Sequence, residues 1–140
     1  MADIVLLLPL DGSPQLEEWL AEDGVVSGER RGRPPTVAEV RDAVRHLGPA
    51  AVEEAVRGTR WQIDVLFGPV AERPSGAPTY AGGFELSAEI GDLDEQAPAT
   101  ELSVRGGDFE VVMKLARRLV AAAGPLVAVS ASEGEPIMIG

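Results

Sequence analysis

The chain has 140 residues and carries 23 Asp and Glu against 12 Lys and Arg, a net charge of −11 at pH 7, with one histidine and no cysteine. That balance argues against general affinity for nucleic acid, whose phosphates it repels, and favours basic partners. The missing cysteine excludes disulfides, thiolate nucleophiles and zinc–thiolate sites. The length and the 45% apolar fraction fit one domain, residues 1–140, able to bury a core. The apolar run Ile4–Leu8 is short and follows Asp3 rather than a basic segment, so it does not read as a signal peptide. No run approaches the roughly 18 apolar residues of a membrane helix. A cytoplasmic protein with no membrane contact is the expectation.

Ile4–Leu8 predicts a strand buried on both faces or central in a sheet, ended by Pro9. Ser13-Pro14 then opens a helix, since a proline at the first helical position loses no hydrogen bond. Leu16, Trp19 and Leu20 form its apolar stripe and Gly24 ends it. Residues 25–35, VVSGERRGRPP, read as a mobile surface loop by composition. Arg31-Gly32-Arg33-Pro34 matches the core of an AT-hook, but the surrounding chain is acidic and ordered in pattern, so a minor-groove role is rejected.

Thr36-Val37-Ala38-Glu39 is a capping box, and Val37, Val40, Val44 and Leu47 recur at helical spacing until Gly48. Pro49 predicts a second short helix over Ala50–Arg57, with Val52, Ala55 and Val56 inward. The next two strands alternate. Trp61, Ile63, Val65 and Phe67 face inward, opposite Gln62, Asp64 and Leu66; Gly68-Pro69 ends that strand. Residues 71–79 read as a loop. Phe84, Leu86, Ala88 and Ile90 then face inward, opposite Glu85, Ser87 and Glu89. Asp92–Ala99 is an acidic connection.

Glu101–Val129 reads as strand, glycine turn, helix, strand. Leu102 and Val104 alternate with Glu101, Ser103 and Arg105; Asp108 stands at the N-cap position. Phe109, Val112, Met113, Ala116, Leu119, Val120 and Ala123 form the helix stripe, and Gly124-Pro125 stops it. A helix of that length between strands predicts a parallel crossover. Pro136–Ile139 can return as a short edge strand. The expected architecture is α+β: a two-layer sandwich with a mixed, mostly antiparallel sheet and helices packed on one face.

The chemistry-bearing residue types are sparse. His46 is the lone histidine and sits near a helix end, so a catalytic dyad lacks a member and a structural role is expected. Asp92-Leu93-Asp94-Glu95 lacks the spacing and glycine of a calcium loop. Gly106-Gly107-Asp108 lacks a phosphate-loop pattern and puts a negative charge where a phosphate would sit. No metal or cofactor is expected. The outward carboxylates Asp64, Glu85, Glu89 and Glu101, with Asp92, Asp94 and Glu95 in the adjoining loop, suit a recognition surface for a basic protein partner. Two alternatives stay open: a carboxylate-dependent enzyme using Asp64 with Glu85 or Glu89, and a small-ligand sensor with a cavity between helices and sheet.

The C-terminal part, from LSVRGGDF through Gly-Pro-Leu-Val to EPIMI, resembles the ends of small acidic immunity proteins of bacterial polymorphic-toxin systems. The resemblance is one of layout, size and charge and covers less than a third of the chain. It implies a non-enzymatic protein that binds and neutralises a cognate toxin. These proteins share no residue signature, so no site residue is carried over. The high Ala, Val, Gly, Arg and Pro content agrees with a GC-rich bacterial source.

Overall fold

In the computed structural model, described for residues 4–22, 24, 31–72, 78–106, 109–130 and 136–139, seven strands form one sheet in the order β2-β3-β4-β5-β1-β6-β7. In chain order the elements are β1 (Ile4–Pro9), α1 (Pro14–Glu22), α2 (Val37–His46), β2 (Ala51–Arg57), β3 (Arg60–Glu72), β4 (Pro78–Glu89), β5 (Thr100–Gly106), α3 (Phe109–Ala123), β6 (Leu126–Ser130) and β7 (Ile137–Ile139). Every pair of neighbouring strands is antiparallel. The chain is therefore an α+β protein with helices layered on a sheet. β5 and β6 both run antiparallel to β1, hence parallel to each other. So α3 does link parallel strands, as its length requires, but β1 lies between them.

Strand alternation divides the sheet into two faces. The inner face presents Leu7, Trp61, Ile63, Val65, Phe84, Leu86, Ala88, Leu102 and Val104. Against them pack Val37, Val40, Ala43 and Val44 of α2 and Val112, Leu115, Ala116 and Leu119 of α3. Each Val, Leu, Ile or Phe among them contributes about 1.5–3 kcal/mol by leaving water. A smaller cluster uses the opposite parity of β6: Val127 and Val129 pack with Leu10 and Leu20, and with Leu8, Leu16 and Trp19 beside them. Thus α1 covers the outer face, but only at the β1/β6 end.

α2 forms as its sequence dictates. The Thr36 hydroxyl accepts from the Glu39 N–H at 3.2 Å, and the Glu39 carboxylate accepts from the Thr36 N–H at 2.9 Å. Gly48 and Gly124, with φ of +67° and +93°, follow the ends of α2 and α3 in the left-handed conformation that glycine tolerates.

Several expectations need correction. Residues 51–57 are a strand, not a helix: they pair in register with β3 from Ala51↔Leu66 to Arg57↔Arg60. Gly58-Thr59 makes the two-residue turn, with Gly58 at φ +63°. The β3–β4 hairpin also runs past Gly68-Pro69. After a bulge between Phe67 and Val70 it resumes at Val70↔Tyr80 and reaches Glu72↔Pro78, where a loop over 71–79 was expected. Phe109 is exposed rather than inward, and Leu115, absent from the expected stripe, is fully buried. β1 is central, yet Ile4 and Leu6 remain exposed on the outer face because α1 covers only the Leu8 end.

The 31–35 segment is not a loose loop. The Gly32 N–H donates to the Leu10 carbonyl and the Arg33 N–H to the Ala123 carbonyl. A Cβ on Gly32 would fall onto the Pro125 carbonyl oxygen. The Arg33 guanidinium forks onto Glu39 at 2.6 and 2.8 Å and also donates to the Ala122 carbonyl. This ties the segment to the start of α2 and the end of α3. Asp108 lies outside the described residues.

Candidate functional site

The outer face of β2, β3, β4 and β5 is where the exposed carboxylates gather. Residues directly opposite one another in an antiparallel ladder project from the same face. One row runs Glu53, Asp64, Glu85, Arg105 and Ile4 across five strands. The next runs Ala55, Gln62, Ser87, Ser103 and Leu6. Three carboxylates thus stand side by side at the strand spacing, about 5 Å. Each adjacent pair repels by roughly 0.8 kcal/mol in water, and by more where the surroundings are drier. Asp64 and Glu85 are half-buried and Glu53 is exposed. Gln62 Nε2 lies 3.4 Å from Asp64 Oδ1, a weak donor contact. Arg105, opposite Glu85, is the cation that ends the run.

Of the expected partner-binding residues, the structure sets Asp64 and Glu85 side by side on neighbouring strands, gathers Glu89 and Glu101 at a second place and leaves Asp92, Asp94 and Glu95 at a third. Glu89 and Glu101 converge on Arg60. The guanidinium lies 3.2 Å from Glu89 and 3.7 Å from Glu101, and it donates to the Ser87 hydroxyl at 2.7 Å. The Thr59 hydroxyl donates to Glu89 at 2.7 Å. That hydroxyl first, and Arg60 second, hold the Glu89 carboxyl below its usual range. Glu101 sits at a bulge where Ser87↔Ser103 shifts to Glu89↔Thr100, with φ +50°, a left-handed conformation costly for a residue with a Cβ. This group is an ion-pair knot at the β3–β4–β5 end, not a free acidic plate.

Asp92, Asp94 and Glu95 lie elsewhere again, in the exposed connection against the N-terminus of α2. The Val37 N–H donates to the Ala97 carbonyl and the Ala38 N–H to the Glu95 carbonyl. The Asp94 carboxylate accepts from the Gln96 N–H at 2.9 Å. The backbone of this connection, through its Glu95 and Ala97 carbonyls, thus meets the positive end of the α2 dipole. No group of three or more described His, Asp or Glu side chains is arranged to hold a metal ion.

Glu53 is the member of the acidic row that the sequence reading missed, because its segment read as a helix. The available signal was Gly58-Thr59 between two segments of strand length. Two further polar clusters support the scaffold rather than this face. Glu54, on the inner side of β2, accepts from Trp61 Nε1 at 2.9 Å and from Arg41 at 3.0 and 3.1 Å. His46 links α2 to α3: Arg118 donates to His46 Nε2 at 2.6 Å, so Nδ1 carries the proton that reaches the Asp42 carbonyl at 3.0 Å.

No family model, curated protein or solved structure matches the chain. Among the described residues no helix is long and apolar enough to cross a membrane.

Proposed function

We propose that the protein is a non-enzymatic binding module that receives a basic protein partner on the outer face of β2–β5. The observation that carries this reading is the row Glu53, Asp64 and Glu85, three like charges held side by side on adjacent strands. A rigid sheet fixes their spacing. Their mutual repulsion is relieved when lysines or arginines of a partner enter the row. A net charge of −11 adds long-range steering and raises the encounter rate with a basic surface. Ile4 and Leu6, exposed at the end of the two rows, supply apolar contact beside the charges, the mixture typical of protein interfaces.

The resemblance of the C-terminal part to immunity proteins makes a cognate toxin domain the partner to try first. The test is co-expression of the chain with the product of the neighbouring reading frame. The expected outcome is a co-purified complex and rescue of growth when that product is toxic. Failure to bind or neutralise any adjacent product would remove the immunity reading. The enzyme alternative, with Asp64 acting beside Glu85, fits the same two side chains; turnover abolished by Asp64→Asn would favour it over the binding module.

A further inference from the structure

We infer that β2 is a self-complementary edge through which two copies of this chain pair, antiparallel, about a twofold axis at Ala55. β2 ends the sheet, and residues 52–57 are exposed along their whole length. The closing pair Arg57↔Arg60 of the two-residue hairpin sets the ladder phase. The Ile90 N–H bond to the Thr59 carbonyl, and the Leu66 carbonyl turned toward β2, agree with that phase. Odd residues of β3 face β4 and even ones face β2. By alternation, the N–H and C=O groups of Val52, Glu54 and Val56 point to the open edge. The strand carries no proline, its ladder to β3 keeps one unbroken register, and no described element pairs with it on that side, so it lacks three of the usual devices that blunt an edge.

Charge selects the occupant. On the outer face Glu53 stands opposite Asp64 and Arg57 stands opposite Arg60, so both edge charges face a like charge within the chain. Neither makes an ion pair among the described residues. They are four residues apart on a strand, about 13 Å, too far to meet each other. A second copy, antiparallel with its axis at Ala55, puts Glu53 of each chain directly opposite Arg57 of the other. Both like-charge oppositions then gain a counter-charge. The small Ala55 pair sits at the axis, and Glu54 and Val56 exchange backbone hydrogen bonds with Val56 and Glu54 of the second copy. Moving the axis to Glu54 would oppose two glutamates, a destabilising pair. Glu54 itself is turned back over β3 by Trp61 and Arg41, which keeps its charge away from the junction. The two sheets become one, and their outer acidic faces lie on the same side.

Sedimentation of the full chain over a concentration series tests the pairing. The expected result is a species of twice the 14.7 kDa chain mass. Glu53→Arg and Arg57→Glu, each alone, place like charges opposite one another twice per dimer and should return the monomer mass. An equimolar mixture of the two variants restores both ion pairs and should return to the dimer mass. Val56→Pro removes an N–H that points to the open edge, leaves the β2–β3 ladder intact, and should give a folded monomer by circular dichroism. A wild-type chain that stays monomeric at every concentration overturns the inference. So does a dimer that survives Val56→Pro, or single variants that do not recombine on mixing.

Discussion

Replacing Glu54 by Ala tests whether residues 51–57 act as a strand. Trp61 has no exposed surface, so its Nε1–H depends on the Glu54 carboxylate 2.9 Å away. A hydrogen bond to a charged acceptor contributes about 1.5–3 kcal/mol, and a buried donor left without a partner costs a similar amount. Arg41 also loses its ion pair, with about 30% of both side chains exposed, a contribution of about 0.2–1 kcal/mol. Its guanidinium, 5.8 Å from the Trp61 ring centroid, keeps that contact. The expected loss is about 2–3 kcal/mol. With an unfolding entropy near 2.1 cal/mol/K per residue, that lowers the midpoint by about 7–10 °C. Thermal and urea unfolding followed by circular dichroism measure it. In a Trp61→Phe background there is no N–H to orphan, so Glu54→Ala should cost only the ion pair. The double-mutant cycle should therefore show coupling of about 1.5–2 kcal/mol. A Glu54→Ala change within about 0.5 kcal/mol of wild type, as for a plain surface position, would refute the reasoning. Equal costs in the two backgrounds would do the same.

Three further outcomes follow from the scaffold. Arg33, by forking onto Glu39, pulls that carboxyl from 4.5 down to about 2. A depressed acid stabilises the fold above its unfolded value and loses that contribution as pH falls from 4.5 towards 2. Because the Arg33 side chain is half-exposed, screening trims the effect to about 1–2 kcal/mol. Unfolding free energy against pH should fall more steeply for wild type than for Glu39→Gln in that window, and parallel curves would contradict it. Gly32→Ala forces a Cβ onto the Pro125 carbonyl oxygen, so unfolding should show a loss of about 1–3 kcal/mol, as for overpacked sites. Leu115→Ala empties a fully buried position between α3 and the sheet and should cost about 2–5 kcal/mol by urea denaturation, whereas Phe109→Ala, at an exposed site, should cost well under 1 kcal/mol.

The legible parts of this fold were those where local chemistry and tertiary context agree. The Thr36–Glu39 box, the stops at Gly48 and Gly124, and the alternation of β3, β4 and β5 all announce themselves in sequence. Residues 51–57 did not, because Ala, Glu and Arg favour a helix and the valines at 52 and 56 fit one face of it. The pairing with β3 overrides that preference, since edge-strand stability comes from its neighbour. The same misreading hid Glu53, and with it the full acidic row. Glu89 and Glu101 read correctly as outward residues of their strands. Their convergence on Arg60 depends on a bulge that no alternation pattern reveals. The 31–35 segment looked like loop because glycine and proline mark turns; its packing depends on carbonyls of α3 and of the segment after β1, distant in sequence.

The central claim is that the row on the outer sheet face receives the basic partner. Its most direct test is the association rate of that partner, once co-purified, with wild type and with Glu53→Gln/Asp64→Asn/Glu85→Gln over a series of salt concentrations. Amides keep the shape of the side chains and remove the charge of the row; Asp64→Asn/Glu85→Gln alone, which leaves Glu53 to the β2 edge, should change the rate and its salt dependence in the same direction as the triple variant. The account predicts slower association for the triple variant and a weaker dependence on salt, because electrostatic steering acts on encounter. The parallel change of Asp92, Asp94 and Glu95 to amides, in the connection beside α2, should leave both nearly unchanged. Equal rates and salt slopes for the triple variant and wild type, or a loss confined to the 92–95 connection, would contradict it.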